Sequence, residues 1–402
     1  MKRLSETRAA LAMLATGVVS TLVLLALPLI VAGIVDQFQW SDLEVGWLAS
    51  ADMTGSAIAS LSVMGLVPRL NWRRAAYSAI VLVAGGNIAS IFAENLIGLL
   101  VLRILTGAGN GVILSIVFTG LCHSRDPDRY FGAYTLGQLA LQALLLSAFP
   151  AVFAGHGMPA IFLILACASL GSGFLVRLFP VNLAAALELG GNAAHVRNPD
   201  HQVALSRIAI RGWTAVALAA QAIYFLAPAA IWGYFERIGQ GFELSIAQIG
   251  KGLGISAFAG MAGSLAVIVL GSRFRRLACM AFGTAVSIAA ALMLLDGSGF
   301  LKYALAACLF NFAWNYTFPY QMGVLAAFDR DGSVAVVSLV VQLSGLALGP
   351  ALASLLLLDG DYKAILLACI ACYVCSFVMF MLSGGRRVSI AAERSVARTG
   401  TG

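Results

Sequence analysis

The chain has 402 residues, of which 60% are apolar and only 11% are charged, with a formal net charge of +7. Soluble domains contain about 25% charged residues, and a soluble fold of this size cannot bury so large an apolar fraction. The composition therefore excludes a soluble globular protein and indicates that lipid is the main solvent, in agreement with a mean hydropathy of +0.92.

Hydrophobic runs long enough to cross about 30 Å of hydrocarbon recur along the whole chain. They predict twelve transmembrane helices, whereas a β-barrel would show alternating polarity. The first run is too long for a signal-peptide core and lacks a convincing cleavage site, so we expect it to remain as a span. The predicted spans lie at 11–35, 43–67, 75–92, 96–121, 130–153, 159–178, 212–235, 247–270, 277–295, 300–327, 333–358 and 362–382.

The longest polar segment divides these spans into six and six. We therefore expect an all-α integral membrane fold of two six-helix bundles, 1–178 and 212–385, joined by a cytoplasmic linker at 179–211 and followed by a cytoplasmic tail at 386–402. The sequence QALLLSAFP runs from Gln142 to Pro150 in the fifth span, and QLSGLALGP runs from Gln342 to Pro350 in the eleventh. Both segments place Gln and Pro eight residues apart. This weak internal sequence echo, a similarity between the two halves, favours halves related as parallel repeats.

The basic residues are distributed unevenly between the predicted loops. With both termini in the cytoplasm, the cytoplasmic segments and inner span ends hold 20 of the 25 Lys and Arg residues, and the outer loops and outer span ends hold four. This asymmetry follows the positive-inside rule. The positive charge therefore predicts orientation in a plasma (inner) membrane, with both termini inside, rather than a nucleic-acid partner.

Motifs of enzymes and of metal or nucleotide sites do not occur in the sequence. HExxH, GxxxxGK[ST] and a convincing nucleophile–base pair are all missing, and the seven cysteines are scattered. Cys369, Cys372 and Cys375 share a helical face but have no nearby histidine, which favours buried free thiols over a metal site. We expect no enzyme activity, catalytic residue, cofactor or metal, and an ion gradient as the energy source.

Two charged side chains lie well inside predicted spans, away from the span ends, where a charge is expensive. Asp52 lies roughly 13 Å deep in the second span and Arg103 roughly 10 Å deep in the fourth, both measured from the outer side. Similar depth in the same half makes a pair plausible. Three interpretations remain open: a structural ion pair, a titratable site coupled to transport, or an Asp52 that faces a watery cavity.

The tenth span contains NFAWNYTFPYQ, the most polar and aromatic stretch of any span. Asn311, Trp314 and Asn315 share one helical face, which favours a substrate-binding wall over an interfacial aromatic belt. Interhelical hydrogen bonds are the alternative use of the two amides. The other polar candidates for substrate binding inside spans are Asn110, Gln142, Gln221, Tyr224 and Gln342.

Two segments resemble motifs of the major facilitator superfamily. GLVPRLNWRR, after the second span, is similar to that family's signature loop through Gly65, Arg73 and Arg74, although Arg69 replaces the acid and Trp72 the second glycine. RILTGAGNGV is similar to the family's helix 4 motif. The resemblance implies a cytoplasmic gate in which the loop arginines pair with Asp126 or Asp128. It also implies a central cavity lined by helices 1, 4, 7 and 10.

These features together predict a secondary active transporter that moves a small organic solute by alternating access. We expect proton coupling through Asp52 and Arg103, since no sodium site is evident. The expected partners are a neutral, aromatic or amphipathic solute, or one anion paired with Arg103, together with protons and the lipid bilayer. The protein is expected to be a monomer. Efflux of hydrophobic compounds, and a non-transporting sensor or enzyme on the same scaffold, are the alternatives.

Overall fold

A computed structural model describes residues 2–23, 42–93, 95–189, 212–295, 299–329, 332–356 and 362–399. Within these ranges the chain is almost entirely helical and contains no strand. The α-helices are α1 Lys2–Ser20, α2 Asp42–Val63, α3 Trp72–Ser90, α4 Leu96–Cys122, α5 Pro127–Val176, α6 Leu183–Leu189, α7 Gly212–Gly241, α8 Ile246–Leu270, α9 Arg276–Leu295, α10 Phe300–Ala326, α11 Ser333–Ser354 and α12 Lys363–Thr399.

Every predicted span is helical over most of its described residues, although several helices end one to four residues before the predicted span does, and this confirms the all-α class. Residues 24–35 of the first span and 357–358 of the eleventh lie outside the described ranges. The fifth and sixth spans form one element, α5, which is broken at Gly157, where φ is +67°. Glycine occupies this left-handed region without steric cost, so the two arms can change direction there. The short α6 lies inside the predicted linker, whose residues 190–211 lie outside the described ones. At the other end, α12 continues helically through most of the predicted tail.

Six helical segments of the described chain are long and apolar enough to cross a membrane. Large apolar side chains on these helices are strongly exposed, including Phe174 at 75% and Phe258 at 72%. Such surfaces are unfavourable in water and suit contact with acyl chains. The segments are Leu96–Cys122, Gly155–Val176, Gly212–Phe235, Gln248–Leu270, Arg276–Leu295 and Lys363–Ser383.

The first of two compact units contains residues 1–208 and 329–343. Its central helix is α4, which packs against α1, α2 and α3, while α5 packs against α1 and α3. Close approach depends on glycine: Gly107 and Gly111 meet the backbone of α2, and Gly109 meets α3. Helices pack closely in lipid through small residues of this kind.

The second unit contains residues 209–328 and 344–402. Helix α10 packs against α8 and α9, and α12 packs against α7 and α9. Aromatic side chains fill the contact between α7 and α10. The ring centroid of Phe235 lies 5.4 Å from that of Phe310 and 5.4 Å from that of Tyr303.

Candidate functional site

The position of Arg103 follows from the start of α4. Asn95 caps this helix, with its side-chain oxygen accepting a hydrogen bond from the Gly98 amide at 2.7 Å. Arg103 therefore lies about 10 Å along α4, and Asp52 lies about 15 Å along α2. A Cβ on Gly107 would collide with the Asp52 carbonyl, so glycine at this position is what brings the two helices, and with them the two charges, together.

The structure brings the Asp52 carboxylate and the Arg103 guanidinium together as a loose ion pair. Nη1 of Arg103 lies 3.8 Å from Oδ2 of Asp52, and the two side chains are 3% and 13% exposed, respectively. This distance is too long for a hydrogen bond. The two charges therefore attract each other without a direct hydrogen bond, and the Asp52 carboxylate is more exposed to solvent than the Arg103 guanidinium.

The hydrogen bonds to Asp52 come from two neutral side chains of α4. Thr106 Oγ1 donates to Asp52 Oδ2 at 3.2 Å, and Asn110 Nδ2 donates to Oδ1 at 3.5 Å. The Thr106 hydroxyl also lies 2.9 Å from the carbonyl oxygen of Arg103. Since a hydroxyl has one proton, Thr106 can give it either to the carboxylate or to its own helix.

Arg103 makes its hydrogen bonds on the opposite side, with α3. Nη2 donates to Asn87 Oδ1 at 3.0 Å and to Ser90 Oγ at 2.8 Å. The guanidinium carbon also lies 5.1 Å from the ring centroid of Phe162 on α5. Asn87, Ser90, Thr106 and Phe162 were not predicted; the available signal was an asparagine and a serine spaced three apart in the second half of the third span, which is otherwise apolar after Ser78.

On α2, Ser56 and Ser60 follow Asp52 at intervals of four residues and lie on the same helical face. Ser56 and Ser60 are both buried, and Ser60 Oγ donates to the carbonyl oxygen of Gly111 at 3.1 Å. The Ser56 hydroxyl and the Asn110 side-chain oxygen make no hydrogen bond with the described residues. The Ser60 hydrogen bond thus links α2 to α4. The Ser56 hydroxyl and the Asn110 side-chain oxygen, close to the ion pair, can still form hydrogen bonds.

The three candidates on α10 have different surroundings. Asn311 is buried, and its Nδ2 donates to Ser256 Oγ on α8 at 2.7 Å, so this amide links two helices. Trp314 and Asn315 are half-buried. The Trp314 ring packs edge-on against Phe310, and Asn315 Nδ2 donates to the Asn311 carbonyl oxygen at 2.9 Å.

The two candidates on α7 lie deep in the second unit. Gln221 is fully buried, with Nε2 3.5 Å from the sulfur of Met322. Tyr224 is buried against the rings of Phe225 and Tyr373. Trp232, which was not predicted, is 45% exposed on the same helix and stacks on Phe310 at an interplanar angle of 7°.

The two remaining glutamines also differ in their surroundings. Gln142 is half-buried in α5. Gln342 is buried, and its Nε2 donates to Ser338 Oγ one turn earlier in α11, at 3.2 Å. The internal sequence echo therefore does not give the two side chains the same environment.

The loop before α3 is bound to the segment that follows α5. The Trp72 amide donates to the Val181 carbonyl oxygen at 2.7 Å, and Arg73 Nε donates to the Phe179 carbonyl oxygen at 2.8 Å. The indole of Trp72 is fully buried and donates to Val67. Trp72 thus replaces the expected glycine with a buried anchor inside the first unit.

The other predicted gate residues differ in their exposure to solvent. Gly65 and Arg74 are exposed, and Asp128 is fully buried in the first turn of α5. Asp126 pairs with Arg129 at 3.1 Å, one turn away. The pairing of the loop arginines with Asp126 or Asp128, which the family resemblance implied, stays a prediction.

Comparison with known proteins agrees with this architecture. The profile of the Major Facilitator Superfamily matches residues 9–330. No curated protein sequence matches the chain significantly.

Several solved structures share the fold. The human organic anion transporter MFSD10 is 15% identical, with a TM-score of 0.71, and the match covers 93% of this chain and 99% of that one. The proton:xylose symporter XylE is 12% identical, with a TM-score of 0.74 and coverage of 94% of each chain. The E. coli fucose:proton symporter FucP is 14% identical, with a TM-score of 0.68 and coverage of 94% and 98%. The profile match covers most of the sequence, and the chain therefore belongs to the major facilitator superfamily, as a multi-pass membrane transporter.

Proposed function

We propose that the protein is a proton-coupled secondary transporter of a small organic solute, with Asp52 as the proton carrier. The family makes it a transporter rather than an enzyme. The observation that carries the coupling is the buried carboxylate beside Arg103, held at 3.8 Å without a direct hydrogen bond. XylE and FucP are described as proton symporters. At 12% and 14% identity they share only the fold, so the proposal of coupling in this chain rests on Asp52.

The arrangement around Asp52 suits a group that gains and loses a proton. A lone charge in a span is expensive, and Arg103 offsets that cost while Asp52 is ionised. When Asp52 is neutral, Thr106 can direct its proton to the Arg103 carbonyl oxygen, 2.9 Å away. The Thr106 hydroxyl therefore has an acceptor in both charge states of Asp52.

The proposed solute is neutral, aromatic or amphipathic, and Trp314 and Asn315 form the core of its binding wall. Both are half-buried near the middle of α10. An amide at this depth is poorly suited to contact with lipid, because it would lack hydrogen-bond partners there. An aromatic face next to an amide suits a flat solute with a few polar groups. Asn311 supports the wall through its bond to Ser256.

We further propose the cellular arrangement that the basic residues predict. The protein lies in the plasma (inner) membrane with both termini in the cytoplasm, and functions as a monomer. The bundles span 1–178 and 212–385, the linker 179–211 and the tail 386–402. Uptake and efflux would both use Asp52 and Arg103 for proton coupling.

The test is transport by purified protein in proteoliposomes. A thermal-shift screen against metabolites and drugs first identifies a ligand, since binding stabilises the native state. A pH difference of one unit should then drive up to about tenfold accumulation for one coupled proton. Asp52→Asn should abolish this accumulation but retain ligand binding and exchange, because the amide keeps the size and cannot titrate.

Glu188→Gln is the matched control, because Glu188 is an exposed acid on the short helix α6. This variant should accumulate ligand at the normal rate. Accumulation by Asp52→Asn at the same rate would make Asp52 a structural partner of Arg103 and would overturn proton coupling at this site.

A further inference from the structure

The hydrogen bonds of Arg103 connect it to neutral groups rather than to its counter-ion. Its Nη2 atom lies 3.0 Å from Asn87 Oδ1 and 2.8 Å from Ser90 Oγ, whereas its closest approach to the Asp52 carboxylate is 3.8 Å. Nε and Nη1 make no hydrogen bond with the described residues. The cation is therefore drawn towards α3, and two of its nitrogens keep unused donor capacity.

Both acceptors on α3 are fixed by their own helix. Asn87 Nδ2 donates to the Val83 carbonyl oxygen at 2.9 Å, and Ser90 Oγ donates to the Gly86 carbonyl oxygen at 2.7 Å. With their donors used in this way, each side chain presents an oxygen lone pair to Arg103. Both side chains are almost fully buried, so water does not compete for these oxygens.

Phe162 bounds the guanidinium from the side of α5. The distance of 5.1 Å from the guanidinium carbon to the ring centroid is within the range of a cation–π interaction. The ring belongs to a buried apolar cluster that includes Leu99 and Leu165. Its position is thus set by core packing and does not depend on the charge of Asp52.

We propose that Asn87, Ser90 and Phe162 are positioning residues that hold Arg103 away from Asp52 and keep the ion pair open. This inference rests on the proposed role of Asp52 as proton carrier. Among the described residues, Arg103 is the charged group that faces Asp52, and the α4 side chains Thr106 and Asn110 are neutral donors. Asp52 can then take up a proton without first breaking a direct, hydrogen-bonded salt bridge.

Removal of the hydrogen-bond acceptors on α3 should allow Arg103 to form a direct, hydrogen-bonded ion pair with Asp52. Without Asn87 Oδ1 and Ser90 Oγ, the guanidinium has unmet donors on all three nitrogens, and Asp52 is the anion within reach. A direct Arg–carboxylate pair is a strong, charge-assisted interaction. Because it favours the ionised carboxylate, Asp52 should then take up its proton only at lower pH.

The experiment is an infrared pH titration of the full chain in lipid nanodiscs, with the proton itself as the probe. The Asp52 signal is the protonated-carboxyl band that is missing in Asp52→Asn. In the double variant Asn87→Ala/Ser90→Ala, we expect the midpoint of this band to fall by about one pH unit. Ser90→Ala alone, which should perturb folding less, should shift it in the same direction, and Ser90→Thr, which retains the hydroxyl, should restore the normal midpoint.

Ser115→Ala is the matched control. Ser115 is also a buried serine bonded to its own helix, through Gly111, and it does not touch the pair. This variant should leave the midpoint unchanged. A lowered midpoint in Ser90→Ala and in the double variant, together with a normal midpoint in Ser90→Thr, would support the positioning role.

Two results would overturn the inference, and they are distinguishable. If the Asp52 band is present but Ser90→Ala and the double variant leave its midpoint unchanged or raise it, the α3 residues only support packing, and the proposed function stands. If Asp52→Asn removes no titrating band, Asp52 is not a proton carrier, and the proposed function fails together with this inference.

Discussion

Arg103 and Asp52 are stabilised in the span by different kinds of neighbour. Arg103 is 3% exposed and bonds to neutral oxygens of α3, whereas Asp52 is 13% exposed and accepts bonds from α4. Breaking a buried pair by removing one partner is typically costly because a charge is left alone. Here the cation has neutral partners of its own, which supports the proposal that the acid is the residue whose charge changes.

At the same scale, Trp314→Ala should weaken binding of the ligand found in the screen. A lost aromatic contact costs about 0.5–1.5 kcal/mol beyond area burial, which corresponds to about two- to tenfold in Kd. Titration calorimetry in detergent measures the change. Phe258→Ala, on a strongly exposed face of α8, is the control and should bind normally; equal affinity in both variants would assign Trp314 to packing.

At the scale of elements, α4 organises the first unit because its faces differ in character. Gly107 and Gly111 contact the α2 backbone, Gly109 contacts α3, and the intervening polar side chains meet Asp52. Dense glycine would normally weaken a helix. In lipid this loss is offset by the close backbone contact that glycine permits.

The substitution Gly107→Ala should therefore destabilise the protein although alanine favours helix. Its Cβ would collide with the Asp52 carbonyl, and such overpacking typically costs about 1–3 kcal/mol. Gly85→Ala is the matched control, because no atom lies within 4 Å of a Cβ there; it should raise stability by up to about 1 kcal/mol. Thermal unfolding in nanodiscs compares the two, and equal melting temperatures would contradict the close contact.

At the scale of the whole molecule, the distribution of basic residues predicts orientation in the membrane. Cytoplasmic segments and inner span ends would hold 20 of 25 Lys and Arg residues if both termini are inside. The linker and the loop between α9 and α10 should then lie on opposite sides. Each side can be probed with a single cysteine.

In a background without the native cysteines, His195→Cys should be protected from an impermeant thiol reagent in intact cells. Ser298→Cys should be labelled under the same conditions, because the loop it occupies is predicted to be outside. Labelling after permeabilisation controls for reactivity at both positions. Reaction of His195→Cys from outside would contradict the predicted orientation.

The sequence alone determined the membrane-spanning, all-helical architecture of this protein, because the length of an apolar run is set by bilayer thickness and is read locally. It also identified Asp52 and Arg103, since charges within apolar spans are rare.

Which groups surround Asp52 and Arg103 was decided by tertiary structure. Asn87, Ser90 and Phe162 reach Arg103 from α3 and α5, two elements whose rotation about their axes depends on packing between helices. The same packing directed Asn311 to Ser256 and left Trp314 and Asn315 half-buried, because periodicity defines a face but not the element that the face meets.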